Sequence, residues 1–174
     1  MDLSLFITLF FSLFLVSHQL RVNSTLPHQP LWSADFSMKN DSCLCVHVTV
    51  PLNSYIGLGF GSSMFNSDMI VATVTSDKVR VFDMWSEDYE VPSDAEDQNV
   101  EVEGIVLNQT HAKFRMLRNL TTNDRERDYQ IAKGVSVPMM WAFVPRASGI
   151  VSHSVTQRGF FRIVIEDKED AEAV

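Results

Sequence analysis

"CLCVHVTVPLNSYIGLGF", Cys43 to Phe60, reads as two strands and a break. In its first half Leu44, Val46, Val48 and Val50 alternate with Cys43, Cys45, His47 and Thr49. A period of two is the signature of a half-buried strand, because successive side chains leave a pleated backbone on opposite faces. Pro51, Asn53 and Ser54 then interrupt the pattern as turn residues, and "YIGLGF" resumes it. The same alternation of short apolar runs and turn signals continues in both directions from this point.

Downstream, "DMIVATV" (68–74) is a nearly continuous apolar run, as expected of a strand covered on both faces. "KVRVFDMW" (78–85) follows the turn "TSD". "VEVEGIVL" (100–107) and "THAKFRML" (110–117) are joined by "NQ", as the arms of a hairpin would be. "VPMMWAFV" (137–144) and "FFRIVIE" (160–166) complete eight or nine short strands. No long amphipathic helix is visible, and "RNLTTNDRERDYQIAKG" (118–134) has room for one helical turn. The pattern predicts an all-β fold, an antiparallel β-sandwich. Its long loops are 61–67, 86–98 and 145–159, and sites on such scaffolds concentrate in loops.

The 174 residues suffice for one domain with a sizeable core. Apolar residues make up 45 %, which excludes a disordered chain. The net charge of −8 and a pI near 5.0 make nucleic acid a poor partner, since its phosphates demand a basic stripe. Residues 1–24 stand apart. Leu3 to Val16 is an apolar run too short for a spanning helix and suited to the core of a signal peptide, although Asp2 replaces the usual basic residues before it. The domain reading is therefore a signal peptide over 1–24, a sandwich over 25–166 and an acidic tail over 167–174. It implies a secreted protein, the alternative being an N-terminal membrane anchor. Sequons at Asn23, Asn40, Asn108 and Asn119 agree with secretion, the last three lying in the mature chain.

Cys43 and Cys45 are the only cysteines. Two residues apart on a strand they stand about 6.6 Å from each other with parallel side chains, which argues for free or intermolecularly paired thiols. Cys43 and His47 lie too far apart on a straight strand to share a metal ion. The acidic runs "SDAED" and "EDKED" read as solvated surface.

No hydrolase elbow, zinc-protease helix, P-loop or dinucleotide fingerprint occurs. A stand-alone enzyme is therefore the weakest reading, behind an electron carrier and a binding module. One pair of residues is chemically suggestive. Met64 stands in the polar turn "GSSMFNS", where a thioether is out of place, and His153 stands in the late loop "GIVSHSVTQRG". Haem iron takes a Met sulfur and a His nitrogen as axial ligands in electron-transfer proteins. No C-x-x-C-H is present, so such a haem would be held without thioether links. Alone, each of these residues also reads as ordinary core or surface.

From about Trp32 to Ile165 the sequence resembles the DOMON domain family, known from dopamine β-monooxygenase relatives and the cytochrome domain of cellobiose dehydrogenase. The likeness rests on "YIGLGFG", "MFNSDMIVA", "VFDMW", "VPSDAED", "RNLTTNDRERDYQI", "MMWAF" and "HSVTQRG" in the shared order. It implies an immunoglobulin-like sandwich, a non-covalent haem b, and Met64 and His153 as its axial ligands. Arg158 would meet the haem propionates, and Phe65 and Trp141, with Phe60 and Phe160, would line the pocket. A redox partner, protein or small-molecule reductant, is implied and not named. The alternative within the family is a haem-free module that binds a sugar, a phenolic ligand or a protein.

Overall fold

The computed structural model describes residues 20–167. Among them are eleven strands: β1 (Leu20–Ser24), β2 (Ser33–Asn40), β3 (Cys43–Pro51), β4 (Ser54–Phe60), β5 (Ser67–Val74), β6 (Val79–Ser86), β7 (Ser93–Asp94), β8 (Val100–Leu107), β9 (His111–Asn119), β10 (Val137–Pro145) and β11 (Arg158–Asp167). A 3-10 turn spans Val155–Gln157, and within 118–134 a single i to i+4 turn closes as Asp128 N donates to Asp124 O (3.3 Å). The strands form two antiparallel sheets, ordered β1-β11-β10-β4-β5-β6-β7 and β2-β3-β9-β8. The all-β sandwich expected from the alternation is what the chain forms.

The break after β3 carries the chain from the four-stranded sheet to the seven-stranded one. Asn53 takes a left-handed φ of 56° there, a conformation its short polar side chain tolerates. The apolar sets of both strands then face each other. Leu44, Val46, Val48 and Val50 of β3 meet Ile56, Leu58 and Phe60 of β4 in a single core with Ile70, Phe114, Met139, Phe143, Phe161 and Ile163. Trp32, between β1 and β2, packs into that core with ring centroids 5.3 Å from Trp141 and 5.9 Å from Phe143. The hairpin from β8 to β9 pairs Leu107 with Ala112, and Asn108 Oδ1 accepts from the N–H groups of Thr110 and His111 to hold its turn.

Two expectations concern the chain's ends. Most of the 1–24 segment and the acidic tail lie outside the described residues. Leu20–Ser24, however, form an edge strand whose partners run from Leu20↔Asp167 to Ser24↔Ile163. The segment expected to be a signal peptide, whose end the sequence leaves open, therefore overlaps this strand. No helix among the described residues is long and apolar enough to cross a membrane.

On the outer face of the four-stranded sheet both thiols are free and buried, with Leu117, beneath a polar layer. His47 is exposed beside them, its Nε2 3.1 Å from Ser37 Oγ and 3.5 Å from Cys45 Sγ.

Candidate functional site

Strand β5 is buried on both faces, as its unbroken apolar run implied. Ile70, Ala72 and Val74 point into the sandwich; Met69 and Val71 point out of it. An outward-facing apolar set needs a cover, and the cover here is loops rather than a helix. The 61–66, 87–92 and 146–157 loops rise around the outer face of β10, β4 and β5 and enclose a cavity of about 500 Å³.

The floor of that cavity follows from "YIGLGF". Tyr55, Gly57 and Gly59 share the outward face of β4, so two of three positions there carry no side chain. Ala142 lies opposite Gly57 on β10. The result is a backbone left open at Gly57 and close enough at Gly59 for neighbouring side chains to pack directly on it. Side chains fold over it from the neighbouring strands. A Cβ on Gly59 would come within 2.7 Å of Met140 Cε and 3.4 Å of Met69 Cγ, so those two thioether chains already converge above it. Met is unbranched and polarizable, and such chains adapt to an irregular ligand.

Met64 reaches the cavity from the first loop, and His153 reaches it from the last. Both are half-buried. Met64 is placed by a turn anchored at either side. Gly61 N donates to Pro138 O (2.8 Å) at a φ of 120° that glycine adopts freely, and Ser67 Oγ donates to Phe60 O (2.8 Å). His153 is placed from both sides of its own loop. Tyr55 Oη donates to Val151 O (2.7 Å), and Ser154 N donates to Gln157 Oε1 (2.9 Å) in the 3-10 turn. Burial pushes the Tyr55 phenol up to about 12, so it stays a neutral donor at any ordinary pH. His153 Nδ1 is itself buried with no hydrogen-bond partner. A buried, unpaired imidazole nitrogen is costly unless a ligand satisfies it.

Trp141 borders the same cavity, and its Nε1 is likewise buried without a partner. Its indole lies where a Cβ on Gly159 would be, 2.6 Å from Nε1, which explains the glycine in "QRG". Arg158 stands exposed at the mouth with no hydrogen bond or ion pair among the described residues, and Glu90 stands on the wall. The aromatic expectations divide. Phe160 is on the rim. Phe65, expected on the wall, is 57 % exposed and outside the cavity, because the turn that points Met64 inward rotates its neighbour outward. Phe60 faces the sandwich core, stacked on Tyr129 with centroids 5.6 Å apart. Tyr55, Tyr89, Met69, Met140 and Ile150 also line the cavity and were not anticipated; the paired glycines of "YIGLGF" are the sequence signal that could have pointed to them.

A second polar cluster lies between the sheets. Arg118, fully buried, donates to Asp68 Oδ2 (2.5 Å) and Tyr129 O (3.0 Å), and packs over the Phe60 ring at 4.6 Å. Asp83 accepts from Asn99 N (2.9 Å), and Asp128 accepts from Asn99 Nδ2 (2.7 Å). The three buried carboxylates each bring an oxygen within 4.8 Å of the others, the spacing a cation would need. Burial first, and then the other carboxylates, push Asp68 up to about 7 against the pull of Arg118 and of Tyr129 N; Asp83 is raised in the same way. The protein's own groups tie this cluster together, and none of it faces the cavity.

The model of the DOMON domain family matches residues 33–144, which is more than half of the chain. The chain belongs to the DOMON domain family. This DOMON protein resembles two solved structures. One is the cytochrome domain of cellobiose dehydrogenase from Myriococcum thermophilum, at a TM-score of 0.57 and 14 % identity, covering 81 % of this chain and 80 % of that one. The other is the cytochrome b domain of pyranose dehydrogenase from Coprinopsis cinerea, at 0.54 and 20 %, covering 80 % and 77 %. At these identities the likeness is one of fold. No curated protein matches the chain in sequence.

Proposed function

We propose that this DOMON domain binds a b-type haem in the cavity on its seven-stranded sheet and serves electron transfer, with Met64 and His153 as the axial ligands. The observation that carries the reading is that two loops 89 residues apart in sequence bring one thioether and one unpaired imidazole into the same cavity. The rest of the cavity fits such a group. The open floor at Gly57 and Ala142 suits a flat ring, Met69 and Met140 over Gly59 give it soft apolar contact, and the Arg158 side chain at the mouth suits a carboxylate. The resemblance to two cytochrome domains supports the same choice.

When bound, a haem with one Met and one His ligand supplies reversible one-electron chemistry at a raised potential. The chain's own part is positional. Tyr55 and Gln157 brace the loop that holds His153, and the Gly61 and Ser67 anchors hold the Met64 turn. With both axial positions filled by side chains, no open coordination site remains for a substrate, which favours a carrier over an oxygenase. On this reading the protein is exported, with glycans at Asn40, Asn108 and Asn119.

The test is an absorption spectrum of the purified protein, oxidised and then dithionite-reduced, after expression with haem supplied. Sharp reduced α and β bands are expected, with six-coordinate features lost in both Met64→Leu and His153→Ala. A folded protein that stays colourless would overturn the proposal and return the cavity to a haem-free module for a sugar or phenolic ligand.

A further inference from the structure

The mouth of the cavity is unevenly charged. One lip is Tyr89–Pro92 of the 86–98 loop; Glu87, Asp88 and Glu90 stand exposed in and beside it, Asp94, Glu96 and Asp97 are exposed farther along the loop, and no Lys or Arg occurs in the loop. Interleaved with these acids are Tyr89 and Val91, 68 % and 63 % exposed, both on the cavity. Across the mouth stand Phe160 and Val151, 64 % and 45 % exposed, with Arg158 beside them. Exposed large apolar side chains grouped around one opening mark an interaction site, whereas singly scattered ones do not. The anions around them define what may sit there. Like charges placed together disfavour association and opposite charges accelerate it. A second copy of this chain, itself at −8, would bring its own acidic lip and be repelled. The open side of the molecule is the same one: the sequons at Asn40, Asn108 and Asn119 all lie on strands and turns of the other sheet.

We infer that the rim of this cavity is the docking surface for a redox protein whose own contact face is apolar at its centre and ringed by Lys and Arg. The 86–98 lip steers the partner, Tyr89, Val91 and Phe160 form the dry centre, and Arg158 on the far side orients it. The inference rests on the haem reading, because docking here is productive only if the cavity holds the redox group. Apolar contact supplies little discrimination among partners; the one-sided charge supplies the approach and the register.

The probe is a lysine-rich small cytochrome c, used native and with its lysines acetylated. Its association with the DOMON protein is followed by amide chemical shifts, with and without haem loading, and its reduction by the haem-loaded protein is followed by stopped flow. Native probe is expected to perturb residues 87–92, 151 and 160, and to react at a rate that falls steeply as salt rises. Glu87→Gln/Asp88→Asn/Glu96→Gln should lower that rate roughly tenfold at low ionic strength and flatten its salt dependence. Acetylated probe should react slowly with both proteins. Asp35→Asn/Asp41→Asn/Glu101→Gln, on the four-stranded sheet, should leave the rate unchanged. Equal losses from the two triple variants would reduce the effect to net charge and overturn the assignment, as would shifts mapping to the other sheet. If no haem loads, the shift map still decides where a basic partner binds. A loaded, reducible protein with an insensitive rim would retain the haem reading and sink the docking one.

Discussion

Strand β5 has two faces with opposite polar economies. On its inner side Asp68 is held by Arg118 and Tyr129 N, in a cluster whose other carboxylates are engaged by Asn99. On its outer side Met69 borders a cavity where His153 Nδ1 and Trp141 Nε1 are buried and unpaired. Buried atoms without a partner occur on both faces, Asp68 Oδ1 and Arg118 Nε on the inner one; the inner pair belongs to an ion pair packed between the sheets, whereas the outer pair borders a cavity that a ligand can enter. The inner face therefore reads as a clamp between the sheets and the outer face as a site.

If that division holds, the largest effect comes from the clamp. Arg118→Ala should cost about 3–5 kcal/mol, because it removes the buried donor that Asp68 Oδ2 and Tyr129 O share. Chemical denaturation would measure it, and a loss under 1 kcal/mol would erase the distinction between the faces. Met64→Leu, by contrast, conserves volume and should cost less than about 1.5 kcal/mol while removing the six-coordinate features expected of the proposed haem.

A middle effect tests the frame of the cavity. Gly159→Ala places a methyl group against the Trp141 indole, 2.6 Å from Nε1. The indole is wedged between β11 and Trp32, so the overlap should cost about 1–3 kcal/mol. A thermal melt with unchanged midpoint would show that the indole has room to move.

The smallest effect is the clamp's pH dependence. Asp68 is raised to about 7 in the fold, so the native state holds a proton there that the unfolded chain has released. Its contribution is therefore complete below pH ~4 and is lost as pH rises toward about 7, a decline of at least about 1 kcal/mol. Asp68→Asn should flatten that slope in denaturation midpoints taken across the window. A steeper slope in the variant would place the proton elsewhere. The outer face contributes no such slope through Tyr55, which stays protonated throughout.

Much of the fold was legible because alternation is a local property. Val46, Val48 and Val50 on β3, or Val100 and Val102 on β8, declare a face wherever the strand ends up. The doubly apolar run of β5 declared that both of its faces would be covered. Met64 and His153 were reached through family likeness and the oddity of a thioether in a polar turn. Their shared cavity was not legible, since no local pattern states that two loops 89 residues apart will meet. Nor was the cavity's position on the outside of a sheet, rather than at an end of the sandwich.

The failures have the same cause. Phe65 and Phe60 are neighbours of cavity residues in sequence, yet one faces solvent and the other the core. In a strand or a tight turn, adjacent side chains diverge, so proximity in sequence is a poor guide to a shared wall. Asp83 and Asp128 lie 45 residues apart and only long-range pairing makes them one cluster with Asp68. By itself, then, the sequence determined the all-β class, the faces of its strands and the kind of ligand atoms available. The tertiary structure alone decided which sheet each strand joined, which orphaned nitrogens border the cavity and which acids fell into the core. Periodicity is written residue by residue, whereas the meeting of distant loops depends on how two whole sheets close over their common interior.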